Sequence, residues 1–218
     1  MPKDAVCFIV GAGEVSPKLS LNLRPDDLLI AADGGLATVE RMGIVPHLVI
    51  GDFDSLGARP NFPNTVVLPT VKDDTDMCAA IRLGRERGYT RFALYGGTGG
   101  RLAHTLANLQ LLDWLARQNC RGFLVGDGTV ATAVYGGALD FPAHMSGYLS
   151  VFCTGETAQG VTLSGLKYEL TDAELESSFP LGVSNEFTGV PARVKVARGT
   201  LLVLWQGHDV AEDLLRSL

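Results

Sequence analysis

The sequence predicts an α/β protein: a mostly parallel, Rossmann-like α/β domain over residues 1–130, followed by an all-β sandwich or barrel domain over residues 131–218. Three observations carry this expectation. Short apolar runs alternate with helix-like stretches as far as about Asp127, the pattern of parallel strands covered on both faces by helices. Beyond that point short apolar runs are separated by Gly, Pro, Ser or Thr with no long helical repeat, the texture of antiparallel strands. The chain has 218 residues, 46% hydrophobic and 19% charged, enough to bury a sizeable core in one large domain or two small ones.

Residues 5–10 read as a first buried strand, ending in Gly11-Ala12-Gly13, and residues 28–32 as a second, ending in Asp33-Gly34-Gly35. A short helix over residues 36–42 stops at Gly43 and Pro46, and residues 47–50 form a third strand. Residues 65–68 form a fourth. Asp74 or Thr75 then caps a helix to about residue 87, with Met77, Ala80, Ile81 and Gly84 on one stripe and Gly88 ending it. Residues 92–95 make a strand that runs into Gly96-Gly97-Thr98-Gly99-Gly100-Arg101. Leu102, Leu106, Leu109 and Leu112 recur at helical spacing to about residue 118, and residues 122–125 form one more strand. Residues 130–135, 148–153, 161–163, 194–196 and 201–205 are the strands of the second half, so the boundary falls near residues 127–140.

Composition excludes several roles. The formal net charge is −6 with no basic stripe, which argues against nucleic acid as a partner; Arg82, Arg85 and Arg87 read as one polar helix face. No apolar run reaches membrane-spanning length and no signal-peptide pattern opens the chain, so a cytoplasmic protein without membrane contact is expected. Cys7, Cys78, Cys120 and Cys153 form no C-x-x-C pair and read as buried free thiols of a reducing compartment. The four histidines lack zinc-type spacing.

The chemistry concentrates around Val49-Ile50-Gly51-Asp52-Phe53-Asp54. Strand residues two apart point the same way, so Asp52 and Asp54 can face one space at a strand's end, where open α/β sheets bind ligands. Lys72-Asp73-Asp74-Thr75-Asp76 adds three carboxylates. Either cluster alone is equally an acid-rich turn or helix start; the two together favour Mg²⁺ sharing its shell with phosphate and water. The glycines before Arg101 expose backbone N–H groups at a helix start, where an anion is favoured and a guanidinium can fork onto phosphate; a flexible loop with a solvated arginine is the alternative. His104 and Asn108 lie one helical turn apart on the face that reaches this loop. Gly11-Ala12-Gly13 with Asp33 is an incomplete dinucleotide fingerprint, lacking its third glycine at Ser16, and reads better as a tight turn close to a ligand. No Walker loop occurs. Ser184-Asn185-Glu186-Phe187 interrupts an apolar stretch and is explained as well by a β-turn.

Ala32-Asp33-Gly34-Gly35, Gly51-Asp52-Phe53-Asp54-Ser55, Lys72-Asp73-Asp74-Thr75-Asp76 and Gly99-Gly100-Arg101-Leu102-Ala103-His104-Thr105-Leu106-Ala107-Asn108 resemble, in order and approximate spacing, the motifs of the thiamine pyrophosphokinase family. Gly165-Leu166-Lys167-Tyr168 and Ser184-Asn185-Glu186-Phe187 resemble its C-terminal signatures. The resemblance implies ATP-dependent transfer of a diphosphoryl group to the hydroxyl of thiamine, giving thiamine diphosphate and AMP, by a cytoplasmic homodimer with its active sites between subunits. It implies Asp52, Asp54, Asp73 and Asp76 as Mg²⁺ ligands, with Asp52, Asp54, Asp76 and Arg101 catalytic. It further implies that Asp33, Gly34, Gly35, Asp73, Asp74, Thr98, Gly99, Gly100, Arg101, His104 and Asn108 serve the nucleotide, and that Ser184 and Asn185 serve thiamine. One departure stands out: the family usually carries Asp two residues after the arginine, and here that position is Ala103. A thiamine- or thiamine-diphosphate-binding protein with impaired catalysis is the alternative this substitution raises; an NAD-linked enzyme is the reading suggested by Gly11, Gly13 and Asp33.

Overall fold

The computed structural model describes residues 4–17, 19–53, 61–71, 73–126, 128–207 and 211–217. The protein is mixed α/β and divides into two compact units: residues 1–108, 124–127 and 215–218 form the first, and residues 109–123 and 128–214 the second.

The first unit holds β1 (Cys7–Val10), β2 (Leu28–Ala32), α1 (Gly35–Arg41), β3 (Leu48–Gly51), β4 (Thr65–Val67), α2 (Asp76–Glu86) and β5 (Arg91–Tyr95). It also takes the first turns of α3 (Leu102–Arg117) and the end of β6 (Arg121–Val125). The strands run in the order β4-β3-β2-β1-β5-β6, and β1 pairs in parallel with both β2 and β5. Each residue of β1, β2 and β3 is buried, which is why these runs lack a polar alternation. The chain moves outward from β1 to β4, then returns to the other side of β1 as β5. That reversal is a topological switch point, which opens a crevice between the loops that follow β1 and β5.

Local signals fix the helices around it. Thr75 caps α2, its hydroxyl accepting from the Cys78 N–H at 3.1 Å, and Asp76 in the first turn complements the helix dipole. Met77, Ala80, Ile81 and Gly84 form its buried stripe, and Gly88 turns the chain away at φ +87°. In α3 the apolar spacing is only half buried. Leu112 is enclosed, whereas Leu102 is 73% and Leu106 54% exposed.

The second unit is built on β7 (Thr129–Tyr135), β8 (Ala138–Phe141), β9 (Tyr148–Ser164), β10 (Leu170–Glu176), β11 (Asn185–Glu186), β12 (Ala192–Lys195) and β13 (Arg198–Gln206), with most of α4 (Ala211–Ser217). The pairings among these strands are antiparallel. β9 is long enough to serve two sheets: its first half pairs with β13 and β11, its second with β10 and β12. Gly155 and Gly160, at φ +80° and +65°, take the left-handed conformations that such a change of partner demands. β13 continues to β7 and β12 to β8. An aromatic chain joins the sheets through the core: Trp205 of β13 meets Phe123 and Phe141 edge-to-face at 5.6 and 5.3 Å, and Phe141 of β8 meets Phe187 at 5.2 Å.

Strand ends differ from expectation by up to three residues, but two differences are larger. The runs 148–153 and 161–163 are one strand, and β8, β10, β11 and the short α4 have no counterpart in the sequence reading.

Candidate functional site

The crevice at the switch point is a cleft of ≈ 550 Å³ within the first unit. Two loops make its floor by riding against one another. The Gly11 N–H donates to the Tyr95 carbonyl and the Gly13 N–H to the Gly96 carbonyl, both at 2.8 Å, and the Glu14 N–H to the Thr98 carbonyl at 3.2 Å. No side chain fits between them: a Cβ on Gly13 would lie 2.5 Å from the Gly96 oxygen and 2.6 Å from that of Thr98. The Gly-x-Gly pattern is therefore explained by loop-on-loop packing at the cleft, in keeping with the tight turn expected there.

Asn108 fastens the second loop from beneath. It is 5% exposed, and its Nδ2 donates to the Gly97 carbonyl at 2.7 Å, one turn beyond His104, which also lines the cleft. Gly97 is crowded for the same reason, since a Cβ there would lie 2.8 Å from Asn108 Nδ2. The polar residue that looked out of place in a helix holds the glycine turn in shape.

The lining is also acidic. Asp33, Asp52, Asp74 and Asp76 all line the cleft, with Thr70, Thr75, Thr98, Gly100 and Arg101. Asp33 follows β2 at φ +49° and its N–H donates to the Ile50 carbonyl at 2.8 Å, which ties the ends of β2 and β3 together. Gly51 allows this approach: a Cβ there would stand 3.2 Å from the Asp33 Cα. Beyond Asp52 comes Phe53, buried at 3% exposure and held at φ +57°, an uncommon conformation for a bulky side chain. Asp74 faces the cleft from the loop before α2, with Arg82 Nη1 2.5 Å from its Oδ2 and Cys78 Sγ 3.7 Å from its Oδ1. Burial first, then the Asp74 charge, raises the Cys78 thiol above its ordinary value, which disfavours the reactive thiolate.

Of the other residues marked in the sequence, Asp73 is exposed outside the lining, and Gly34, Gly35 and Gly99 also lie outside it. Gly35 has a packing reason to be glycine, since a Cβ would collide with the Val10 carbonyl. Asp54 falls outside the described residues. Ser184 and Asn185 belong to the second unit; Ser184 is exposed at φ +59° and Asn185 is buried at 3% exposure. Thr70, Thr75 and Met77 line the cleft without having been marked as ligand contacts. From the sequence Thr75 reads as a cap and Met77 as core, because periodicity cannot show that a helix start also faces a cleft.

Among the described residues no group of three His, Cys, Asp or Glu side chains could hold a metal ion. The donor chemistry nevertheless fits Mg²⁺, which binds through one or two carboxylates plus waters and substrate phosphates rather than an all-protein cage. Hard oxygen donors, backbone and Arg101 lining one cleft are what a metal-bound polyphosphate requires.

Family models and relatives of known family match this chain over most of its length. Residues 20–124 match a family model described as the catalytic domain of thiamin pyrophosphokinase, and residues 139–201 one described as its vitamin B1 binding domain. A thiamine pyrophosphokinase of Bacillus subtilis is 27% identical over 201 residues, spanning 89% of this chain and 94% of its own. A crystal structure of thiamine pyrophosphokinase from Bacillus subtilis shares the fold with a TM-score of 0.82 at 26% identity, over 93% of this chain and 98% of that one. One of thiamin pyrophosphokinase from Geobacillus thermodenitrificans does so with a TM-score of 0.79 at 29% identity, over 94% and 98%.

Proposed function

The chain belongs to the thiamin pyrophosphokinase family, and on that premise we propose that it transfers a diphosphoryl group from ATP to the hydroxyl of thiamine, giving thiamine diphosphate and AMP. The observation that carries this reading is the cleft at the switch point, whose lining combines glycine-rich backbone, Arg101 and four aspartates. A Rossmann-like domain over residues 1–130 takes nucleotide and metal, and a β-sandwich domain over residues 131–218 takes thiamine.

Roles follow from chemistry. Mg²⁺ would be held by Asp52 and Asp76, with Asp54 and Asp73 completing the set; bound with the phosphates, it offsets their charge. Arg101 binds phosphate oxygens and stabilises the charge that develops on departing AMP. Thr98, Gly99 and Gly100 hold the triphosphate against backbone; Asp33, Gly34, Gly35, Asp73, Asp74, His104 and Asn108 complete the nucleotide side. Holding the thiamine hydroxyl in line with the β-phosphorus supplies much of the rate. Ser184 and Asn185 serve the thiamine side. Leu102 and Leu106, apolar and exposed on α3, support a homodimer with active sites at the subunit interface. Free thiols at Cys7, Cys78, Cys120 and Cys153 support a cytoplasmic location.

Ala103, exposed in the first turn of α3, supports a second reading, in which the site binds thiamine or its diphosphate with impaired turnover. Product analysis after mixing protein, thiamine, ATP and Mg²⁺ separates the two. Thiamine diphosphate and AMP in equal amounts is the expected result. Binding of both ligands without product favours the second reading, and Ala103→Asp should then restore turnover. Absence of thiamine binding would sink both.

A further inference from the structure

Asp74, Cys78 and Arg82 follow one another at four-residue spacing, which sets them on one stripe of α2 and its entry. Asp74 stands just before the Thr75 cap, and the stripe runs alongside the buried one of Met77, Ala80, Ile81 and Gly84. The two later residues close on the first. Arg82 Nη1 donates to Asp74 Oδ2 at 2.5 Å, and Cys78 Sγ to Asp74 Oδ1 at 3.7 Å. Both oxygens of this carboxylate are therefore engaged from its own helix. The Cys78 N–H also donates to Thr75 Oγ1, which fixes the turn from which Asp74 departs.

The ion pair is open to solvent: the Arg82 side chain is 55% exposed and that of Asp74 32%. A pair so exposed contributes little to stability. Its consequence is electrostatic. Asp74 lines the cleft with Asp33, Asp52 and Asp76, in a chain whose formal net charge is already −6. A nucleotide brings several more negative charges to that space. Carboxylates that share a divalent cation with the phosphates are offset by it. One that does not share it opposes the ligand unless a protein cation compensates its charge. Arg82 is outside the cleft lining, so it reaches the site through Asp74.

We propose that Arg82 is a positioning residue for the nucleotide: from the exposed face of α2 it holds the Asp74 carboxylate in place and offsets its charge, so that this aspartate does not repel the polyphosphate. This rests on the reading of the cleft as the site of ATP and Mg²⁺.

Calorimetric titration with ATP in the presence of Mg²⁺, without thiamine, measures binding apart from turnover. Wild type must first bind; if it does not, the nucleotide reading fails and this proposal with it. Given wild-type binding, Arg82→Gln introduces a good helix former on an exposed face. It should raise the Kd about two- to fivefold, the scale of one open ion pair, and Arg82→Glu should raise it further. Arg82→Lys should stay near the wild-type value, and the losses should shrink as salt is added. The deciding comparison is made in an Asp74→Asn background. There Arg82→Gln should leave the Kd of that background unchanged, because the charge it offsets is gone. A loss that persists in that background would mean that Arg82 meets the phosphates directly or only braces the helix, and overturns the proposal. Equal Kd values for wild type and Arg82→Gln overturn it too, while the nucleotide reading stands. That comparison decides even if Arg82→Glu does not fold.

Discussion

At the scale of single residues, three non-glycine residues at or beside proposed site positions hold positive φ: Asp33, Phe53 and Ser184. Asp tolerates that conformation through its short polar side chain. Phe does not, and it persists because its ring is enclosed next to Gly51, 3.3 Å from where a Cβ there would sit. Such strain is kept where surrounding structure over-determines it, and here it aims the chain on either side of Asp52. Asp52→Asn preserves the shape of that side chain and removes its charge. Turnover should fall roughly 10²–10³-fold, the loss typical of one preorganised electrostatic contact. AMP release measures it, with the thermal midpoint as a check on folding. An unchanged kcat would remove Asp52 from the phosphate end of the site.

At the scale of elements, the cleft depends on two loops that touch through main chain. Gly13→Ala forces a methyl group between the Gly96 and Thr98 carbonyls, and neither backbone can yield as a flexible side chain would. The expected cost is about 1–3 kcal/mol of stability, as for overpacking elsewhere, together with a raised ATP KM. Gly100→Ala is the control for stability, since a Cβ there meets nothing within 4 Å. Equal denaturation midpoints for the two variants would mean that the loops part easily. The sequence reading found these loops because glycine marks close approach of backbone, and it found β1, β2 and β5 because strands buried on both faces are continuously apolar. It missed β10, whose Leu-Thr-Asp-Ala-Glu-Leu-Glu run is mostly exposed and carries no apolar period. It divided β9 because Gly155 and Gly160 look like turns when they mark a bend within one strand. It marked Asn185 through its motif but could not see that the amide faces main chain, because hydrogen-bond partners 17 residues away leave no local signature.

At the scale of the whole molecule, the end of the chain is tied back to its beginning by a buried ion pair. Arg216 of α4 and Asp27 have side chains only 7% and 1% exposed. Arg216 grips the carboxylate with two bonds, Nη2 to Oδ2 at 2.6 Å and Nη1 to Oδ1 at 3.1 Å. The same carboxylate accepts from the Val6 and Arg24 N–H groups at 2.8 Å each. Burial works to raise the Asp27 pKa, but the Arg216 hydrogen bonds, the two backbone N–H groups and the Arg216 charge outweigh it, and the net direction is down. A carboxylate depressed in the folded state contributes stability above its unfolded pKa, about 3.9. That contribution is lost as pH falls through the lower folded value. Asp27→Asn leaves a buried guanidinium without its counter-charge, a change that costs about 3–5 kcal/mol where the pair is ionised. Urea denaturation from pH 7 downward should show that difference constant to about pH 5, then shrinking below about pH 4 as wild-type Asp27 takes up its own proton. A difference that stays constant across the acid range would mean that the charge contributes nothing and that the loss is one of packing alone.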